Sequence, residues 1–520
     1  MRRALILAAG LALSAAPLHA EIHAVVVGVD AYRHLKPLGG ATNDARDLAG
    51  ALTRLGAEVE LLTDAAATRA AVIAAFERQA AKAGPGDMFV FTYAGHGMQE
   101  PEAIPGDEAD GLDETIVFAG FAPSGPEAGE RLRDNEIGAL LAKVNPAART
   151  LIVVDSCHSG TMTRAGDRRG KTLRTRFAGI GRLTDDPLPK PDASTRGLDL
   201  AGADNVVFVA AARDEEQIPE VEIDGAPRGA VSWTVARALE GAAGFGGPGM
   251  KLSEFSTYVR AQARALSAAR QTPSVNFRST AIAPEASIVP PSALAESPPP
   301  PPPAPHHAAA RVHVLGVAPP PDLGGQVEWA ADLEEADLVW DRAGGELIDA
   351  ATADLVAEAR RPAELLAALS AWRAARSLTL WQDRRHAELQ LEPGDGRHRV
   401  GERIAVSISR PETAPAYLTV VNIASTGEVQ FLFPAPADRA AGRDLVHPGG
   451  GPYRIGAAPV TEPVGADNVV GVLSDAPETE LQDWLAKGAG VDAEAFVARL
   501  KALSAQGGRR IGVTPIFTTR

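Results

Sequence analysis

At 520 residues the chain exceeds what one hydrophobic core ordinarily organises, so two or three domains are expected. Its 51 Lys and Arg against 66 Asp and Glu give a net charge of −15, which argues against a nucleic-acid partner. The single cysteine, Cys157, excludes an internal disulfide and is either a buried small side chain or a reactive thiol.

Residues 1–20 read as a secretory signal: Arg2 and Arg3, the apolar run Ala4–Ala16, then small residues. Cleavage after Ala20 or after Ala16 fits, and an uncleaved membrane anchor is the competing reading. No other segment is apolar enough to span a membrane. The expectation is therefore an exported chain, periplasmic or secreted, with no stable membrane insertion once the signal is removed.

From residue 21 to 285 strand and helix patterns alternate. Ile22–Val29 is a continuous apolar run, as expected of a strand buried on both faces. Asn43–Leu55 carries helical spacing, Glu58–Leu62 a second strand and Thr68–Lys82 a second helix. Met88–Tyr93, Leu151–Asp155 and Val206–Ala212 are further strands. Helices follow near Asn135–Lys143, Ser232–Leu239 and Leu252–Ala269. The alternation implies an α/β unit with a mainly parallel sheet covered by helices on both faces. Chemistry in such sheets sits beyond the carboxyl ends of the strands. Residues 286–310, with the proline run Pro298–Pro303, form a stiff linker; metal binding by the nearby His306 and His307 is a weak alternative. Residues 311–380 suggest a small α/β element. Residues 381–520, with short strands such as Arg403–Ser407, Tyr417–Ile423 and Val429–Phe433, suggest a β-sandwich-like domain.

Two strand ends carry chemistry. Met88–Tyr93 runs into Ala94-Gly95-His96-Gly97, and Leu151–Asp155 into Ser156-Cys157-His158-Ser159-Gly160. Parallel neighbours would deliver His96 and Cys157 to one sheet edge, where glycines allow close approach of a substrate. An imidazole can take the thiol proton and later protonate a leaving amine. The backbone N–H groups of Gly97 and Cys157 could bind an oxyanion. His158 is a rival base, although adjacent side chains at a strand end usually diverge.

These motifs, with Val27-Gly28-Val29-Asp30-Ala31-Tyr32 and Gly40-Ala41-Thr42-Asn43-Asp44-Ala45, resemble those of bacterial caspase-like peptidases of the metacaspase-related branch, over roughly Ile22–Thr280. The resemblance implies a cysteine endopeptidase with a Cys157/His96 dyad and no obligatory third member. It also implies a substrate pocket in which Asp44 and Asp155 receive an arginine or lysine side chain, so that protein or peptide substrates with basic residues are the expected partners. Helix capping by Asp44 and a structural hydrogen bond from Asp155 to loop amides are the competing readings. A non-catalytic caspase-like binding scaffold of the cell envelope is the alternative for the whole chain. Two departures stand out: Ala94 where the family often has Ser, and Val117-Phe118-Ala119-Gly120 where it often continues with Pro and Asp.

No cofactor is required by this chemistry. The segment Glu100–Glu114 holds seven acids, and calcium held by Asp107, Asp110, Asp113 and Glu114 is one expectation; a solvated acidic loop is the other. The segment Thr161–Ala203 opens with Arg164, Arg168, Arg169, Lys171, Arg174, Arg176 and Arg182 against the single acid Asp167. It is either a mobile loop or a site of self-cleavage. At the C-terminus, Tyr417–Val421, Thr426–Pro434 and Val472–Asp475 resemble an uncharacterised β-rich domain that often follows bacterial caspase-like domains, with no catalytic constellation of its own.

Overall fold

A computed structural model of the chain describes residues 20–519, apart from 107–110, 158–175, 181–182, 184–185, 190–203, 213–217, 224, 242–248, 268–270, 290–309, 316–317, 321–322, 324–326, 332, 334–335, 351–353, 382–386, 394–396, 411–413, 488–489 and 505–507. The signal segment, most of the linker, His158, Asp107, Asp110 and the basic residues 164–174 and Arg182 therefore lie outside the described residues.

The first half is built from β1 (Ile22–Gly28), α1 (Ala41–Arg54), β2 (Glu58–Thr63), α2 (Arg69–Lys82), β3 (Met88–Ala94), β4 (Gly97–Pro101), β5 (Leu112–Val117), β6 (Arg131–Arg133), α3 (Asp134–Leu141), β7 (Arg149–Asp155), β8 (Phe177–Ile180), β9 (Val206–Ala210), β10 (Glu220–Ile223), β11 (Ala226–Gly229), α4 (Ala230–Leu239), α5 (Leu252–Leu266) and β12 (Ser274–Phe277). Six strands form one sheet in the order β12-β9-β7-β3-β1-β2. All its pairs are parallel except β12 with β9.

Alternation along each central strand divides the core in two. Ala24 and Val26, Met88 and Val90, and Leu151 and Val153 pack against α1, α4 and α5. Val25 and Val27, Phe89 and Phe91, and Ile152 and Val154 pack against α2 and α3. Every residue of β1 and β3 is buried, which is why those stretches read as unbroken apolar runs. Each fully buried Val or Phe stabilises the fold by about 1.5–3 kcal/mol. Beyond the carboxyl edge, β6-β5-β4-β8 make a second, four-stranded sheet, and β10 with β11 a separate hairpin.

The second half comprises β13 (Arg311–Val314), β14 (Glu328–Trp329), β15 (Leu338–Asp341), β16 (Glu346–Asp349), β17 (Leu355–Glu358), α6 (Pro362–Trp381), β18 (Leu389–Glu392), β19 (Arg397–Arg399), β20 (Arg403–Ile408), β21 (Ala416–Ile423), β22 (Val429–Phe433), α7 (Pro436–Ala440), β23 (Leu445–Val446), β24 (Tyr453–Pro459), β25 (Gly465–Ser474), α8 (Thr479–Lys487), α9 (Ala493–Ser504) and β26 (Arg509–Thr519). Sequence patterns separate residues 311–380 from 381–520, but the two share one eleven-stranded sheet, joined where Ala357 of β17 pairs with Gly465 of β25. Helices α6, α8 and α9 cover one face of its C-terminal part. The small sheet β18-β20-β24 covers the other.

Candidate active site

Strands β3 and β7 pair in parallel with Ala94 opposite Asp155, and Gly95 N–H continues the ladder to the Asp155 carbonyl at 3.4 Å. His96 and Cys157 each lie two residues past that pair, so the register delivers both to one edge. Gly95 has no substitute here: a Cβ would sit 2.6 Å from the hydroxyl oxygens of Tyr32 and Tyr93. Those hydroxyls hold the turn. His96 N–H donates to Tyr32 Oη at 2.7 Å, and Tyr93 Oη lies 2.7 and 2.6 Å from the carbonyls of His96 and Val117. Burial pushes both phenols above their usual range, so they stay protonated and able to donate.

The imidazole of His96 is 3 % exposed. Its Nε2 lies 2.8 Å from the carbonyl oxygen of Lys36. A carbonyl only accepts, so Nε2 carries the hydrogen and Nδ1 is left as the basic nitrogen. Nδ1 is buried and makes no hydrogen bond to the described residues. Burial, aided by the Arg176 guanidinium, holds the His96 pKa below the ordinary imidazole value against the pull of the Lys36 carbonyl. The ring is therefore a neutral acceptor at neutral pH. Nothing in the sequence around Lys36 marks its carbonyl, because any residue supplies one.

Arg176 joins the other features. Its carbonyl oxygen accepts hydrogen bonds from Gly97 N–H at 2.8 Å and Cys157 N–H at 3.1 Å. Its guanidinium, wholly buried, donates to Asp44 Oδ2 at 2.5 Å and lies 3.2 Å from Asp155 Oδ1 and 3.6 Å from Glu220 Oε1. One residue thus places its carbonyl on the two amides beside Cys157 and its cation among three carboxyl groups. Burial drives the Asp44 and Glu220 carboxyl groups above their ordinary range, Arg176 opposing it; burial also works against the guanidinium's charge, but Asp155, Asp44 and Glu220 outweigh it and hold Arg176 firmly charged. Cys157 beneath is 1 % exposed.

Each wall of this pocket is held from elsewhere. Asp44 does not cap α1; Asp30 does, its two oxygens accepting from Ala41 N–H at 2.8 Å and Thr42 N–H at 3.0 Å. Asp44 instead accepts from Gly229 N–H at 2.9 Å. Asp155 Oδ2 accepts from Ser232 N–H at 2.9 Å, in the first turn of α4. Glu220 accepts from Gly39 and Gly40 N–H at 3.0 and 2.7 Å. A Cβ on Gly229 would lie 2.2 Å from Asp155 Oδ2 and 2.5 Å from Arg176 Nη1, so that glycine forms the pocket floor. Sequence patterns missed Glu220 and Gly229 because a four-residue strand in a long connection carries little periodicity.

Of the acidic segment, Glu100 is spent on Arg131 and Arg133, with nitrogen–oxygen distances of 2.9 and 3.2 Å. Asp113 and Glu114 are consecutive in β5 and face opposite sides of the sheet. Asp113 accepts from Ala103 N–H at 3.0 Å, and Glu114 lies 3.5 Å from the Gln99 amide. The two do not converge on one ion, and no group of three metal-ligating side chains occurs among the described residues.

A parallel α/β sheet with a glycine-flanked histidine and cysteine at adjacent strand ends defines a class of protein shared with known families. The caspase-domain family matches residues 22–281, half of the chain, and the chain belongs to that family. It is 33% identical to metacaspase-1 of Mycosarcoma maydis over 148 residues, 26% of this chain and 35% of that one. It is 34% identical to metacaspase-1 of Cryptococcus neoformans over 149 residues, 26% of this chain and 31% of that one. The chain thus spans about a third of the length of these curated relatives. Among solved structures, a protein from Geobacter sulfurreducens aligns with 27% identity and a TM-score of 0.35, covering 49% of this chain and 92% of that one. Caspase-1 from Spodoptera frugiperda aligns with 11% identity and a TM-score of 0.30, covering 50% and 88%.

Proposed function

We propose that the chain is an exported cysteine endopeptidase that cleaves after arginine or lysine and cuts itself first, at the bond between Arg176 and Phe177. The observation that carries this reading is Arg176, seated as the residue before a scissile bond would be: carbonyl on two amides, cation in a carboxylate pocket. His96 Nδ1 takes the proton of the Cys157 thiol, whose sulfur attacks the carbonyl carbon. The N–H groups of Gly97 and Cys157 stabilise the oxyanion. His96 returns the proton to the departing amine, leaving a thioester that water hydrolyses, again with His96 as base. Specificity follows from the pocket: carboxylates buried together favour a cation and reject an acidic side chain. While Arg176 remains bound, other substrates are excluded, so the uncut chain is latent.

Wild-type protein should yield a fragment beginning at Phe177, identified by mass spectrometry, and then hydrolyse arginyl and lysyl fluorogenic peptides. Cys157→Ala protein should stay whole and inactive. Gly229→Ala should lose at least about tenfold on arginyl peptides while Cys157 still reacts with iodoacetamide. A Cys157→Ala chain that still cuts itself, or peptides cleaved equally well after neutral residues, would overturn the reading. A binding scaffold would leave Cys157 unreactive toward a basic thiol-directed peptide probe. Calcium stimulation belongs to the proposal only through Asp107 and Asp110, and is read by repeating the peptide assay with calcium and with a chelator.

A further inference from the structure

The hairpin β10–β11 reaches in two directions. At one end Glu220 and Gly229, paired directly across it, build the pocket around Arg176. At the other end it rests on the second half of the chain. The Glu222 carbonyl accepts a hydrogen bond from Arg376 of α6. Arg376 is itself braced over the Trp372 ring one turn earlier, 5.0 Å from the centroid. Val221 and Ile223, on one face of β10 by alternation, pack with Trp233 and with Leu380 of α6. Close by, Gln262 of α5 donates to the Thr379 carbonyl at 2.8 Å. Arg311 lies 3.4 Å from the Glu222 carboxylate; both side chains are partly exposed, so this pair adds little.

A cavity of about 150 Å³ opens between Ile223 and Leu266 on one side and Ala371, Trp372 and Phe517 on the other. Part of the boundary between β10 and the second half is therefore open space rather than packing. Besides the Arg228–Asp47 ion pair and the Asn43–Pro227 hydrogen bond that tie it to α1, the hairpin is held by the Arg376 hydrogen bond and the Ile223–Leu380 contact, about 7–10 Å of strand from Glu220 at about 3.3 Å per residue.

We infer that the C-terminal half sets the specificity pocket: α6, through Arg376 and Leu380, positions the hairpin that carries Glu220 and Gly229 against a basic substrate side chain. Arg376 and Leu380 are positioning residues and touch no substrate. The inference rests on the proposed preference for arginine or lysine.

The test compares full-length wild type with Arg376→Ala, Leu380→Ala and Arg376→Lys, and with Arg373→Ala, whose guanidinium pairs with Glu494 inside the C-terminal half. Arg376→Ala and Leu380→Ala should raise KM for an arginyl peptide at least fivefold. Their kcat and their rate of Cys157 alkylation by iodoacetamide should stay within twofold of wild type. Arg376→Lys should recover part of the KM, and Arg373→Ala should behave as wild type. Unchanged KM in both Arg376→Ala and Leu380→Ala overturns the inference. So does an equal fall in kcat, alkylation and melting temperature, which would mean that these residues merely hold the fold together. Failure of the underlying preference is seen separately, in wild-type protein that does not distinguish arginyl from neutral peptides.

Discussion

At the scale of single residues, the pocket concentrates acid around one cation, and its stability should depend on pH in a direction that can be worked out. The carboxyl groups of Asp44 and Glu220 are raised above their unfolded values. Between those limits the native state holds more protons than the unfolded chain, so their contribution is full at low pH and lost as pH rises through the raised values. Removing Arg176 removes the cation that opposes this shift. Arg176→Ala should therefore melt below Cys157→Ala, which stays whole and keeps the arginine, by a gap that is wider at about pH 8 than at about pH 5.5. A gap that is the same at both values would mean that the carboxyl groups are not buried together without a partner. The convergence of His96 and Cys157 on one sheet edge was legible in the sequence because polar residues with glycines close by at the ends of apolar runs are a local pattern. Asp44 and Asp155 were legible only through family likeness. The hydrogen-bond acceptor of His96 and the third pocket acid came from segments 60 and 124 residues away in sequence, on features that no local spacing announces.

At the scale of elements, α1 is the piece that aims Asp44, and its first turn is fixed by Asp30 rather than by a residue of its own. Asp30 accepts from Ala41 and Thr42 N–H and from the Thr42 hydroxyl at 2.6 Å. Losing such a cap costs about 1–2 kcal/mol. Asp30→Ala should lower unfolding stability by that amount in urea and raise KM for arginyl peptides, because the first turn carries Asp44. A stability loss with unchanged KM would show that Gly229 alone holds Asp44 in place. The long helices and the central strands were readable to within one or two residues at most ends, since buried strands need continuous apolar residues and α1 needs its 3.6-residue spacing. Strands β4, β5, β6 and β8 were not read. They are short, and their sheet closes over polar groups such as Arg131 and Glu100, so they lack the apolar signature of the main sheet.

At the scale of the whole molecule, a cut after Arg176 falls between two neighbouring strands of one sheet. Strand β7 would end up on the first fragment and β9 on the second, yet they pair along five residues from Thr150–Val206 to Val154–Ala210. Helices α4 and α5 of the second fragment share a core with β1, β3 and α1 of the first. The fragments should therefore elute together from a sizing column while giving two bands on a denaturing gel; separation under native conditions would mean the shared core does not survive the cut. The joining of residues 311–380 to the C-terminal sheet was not readable, because the strands meet at one bridge between β17 and β25 and the rest of the contact is made by α6 packing on that sheet.

Because the arginine in the pocket belongs to the same chain as the cysteine beneath it, the encounter between them does not depend on how many molecules share the solution. A tethered group acts at an effective concentration set by its linker. The half-time of the first cut should then be unchanged when the protein is diluted a hundredfold or so, whereas cutting of one chain by another would slow in proportion. Such an enzyme would start its own clock on folding, whether it is abundant or rare.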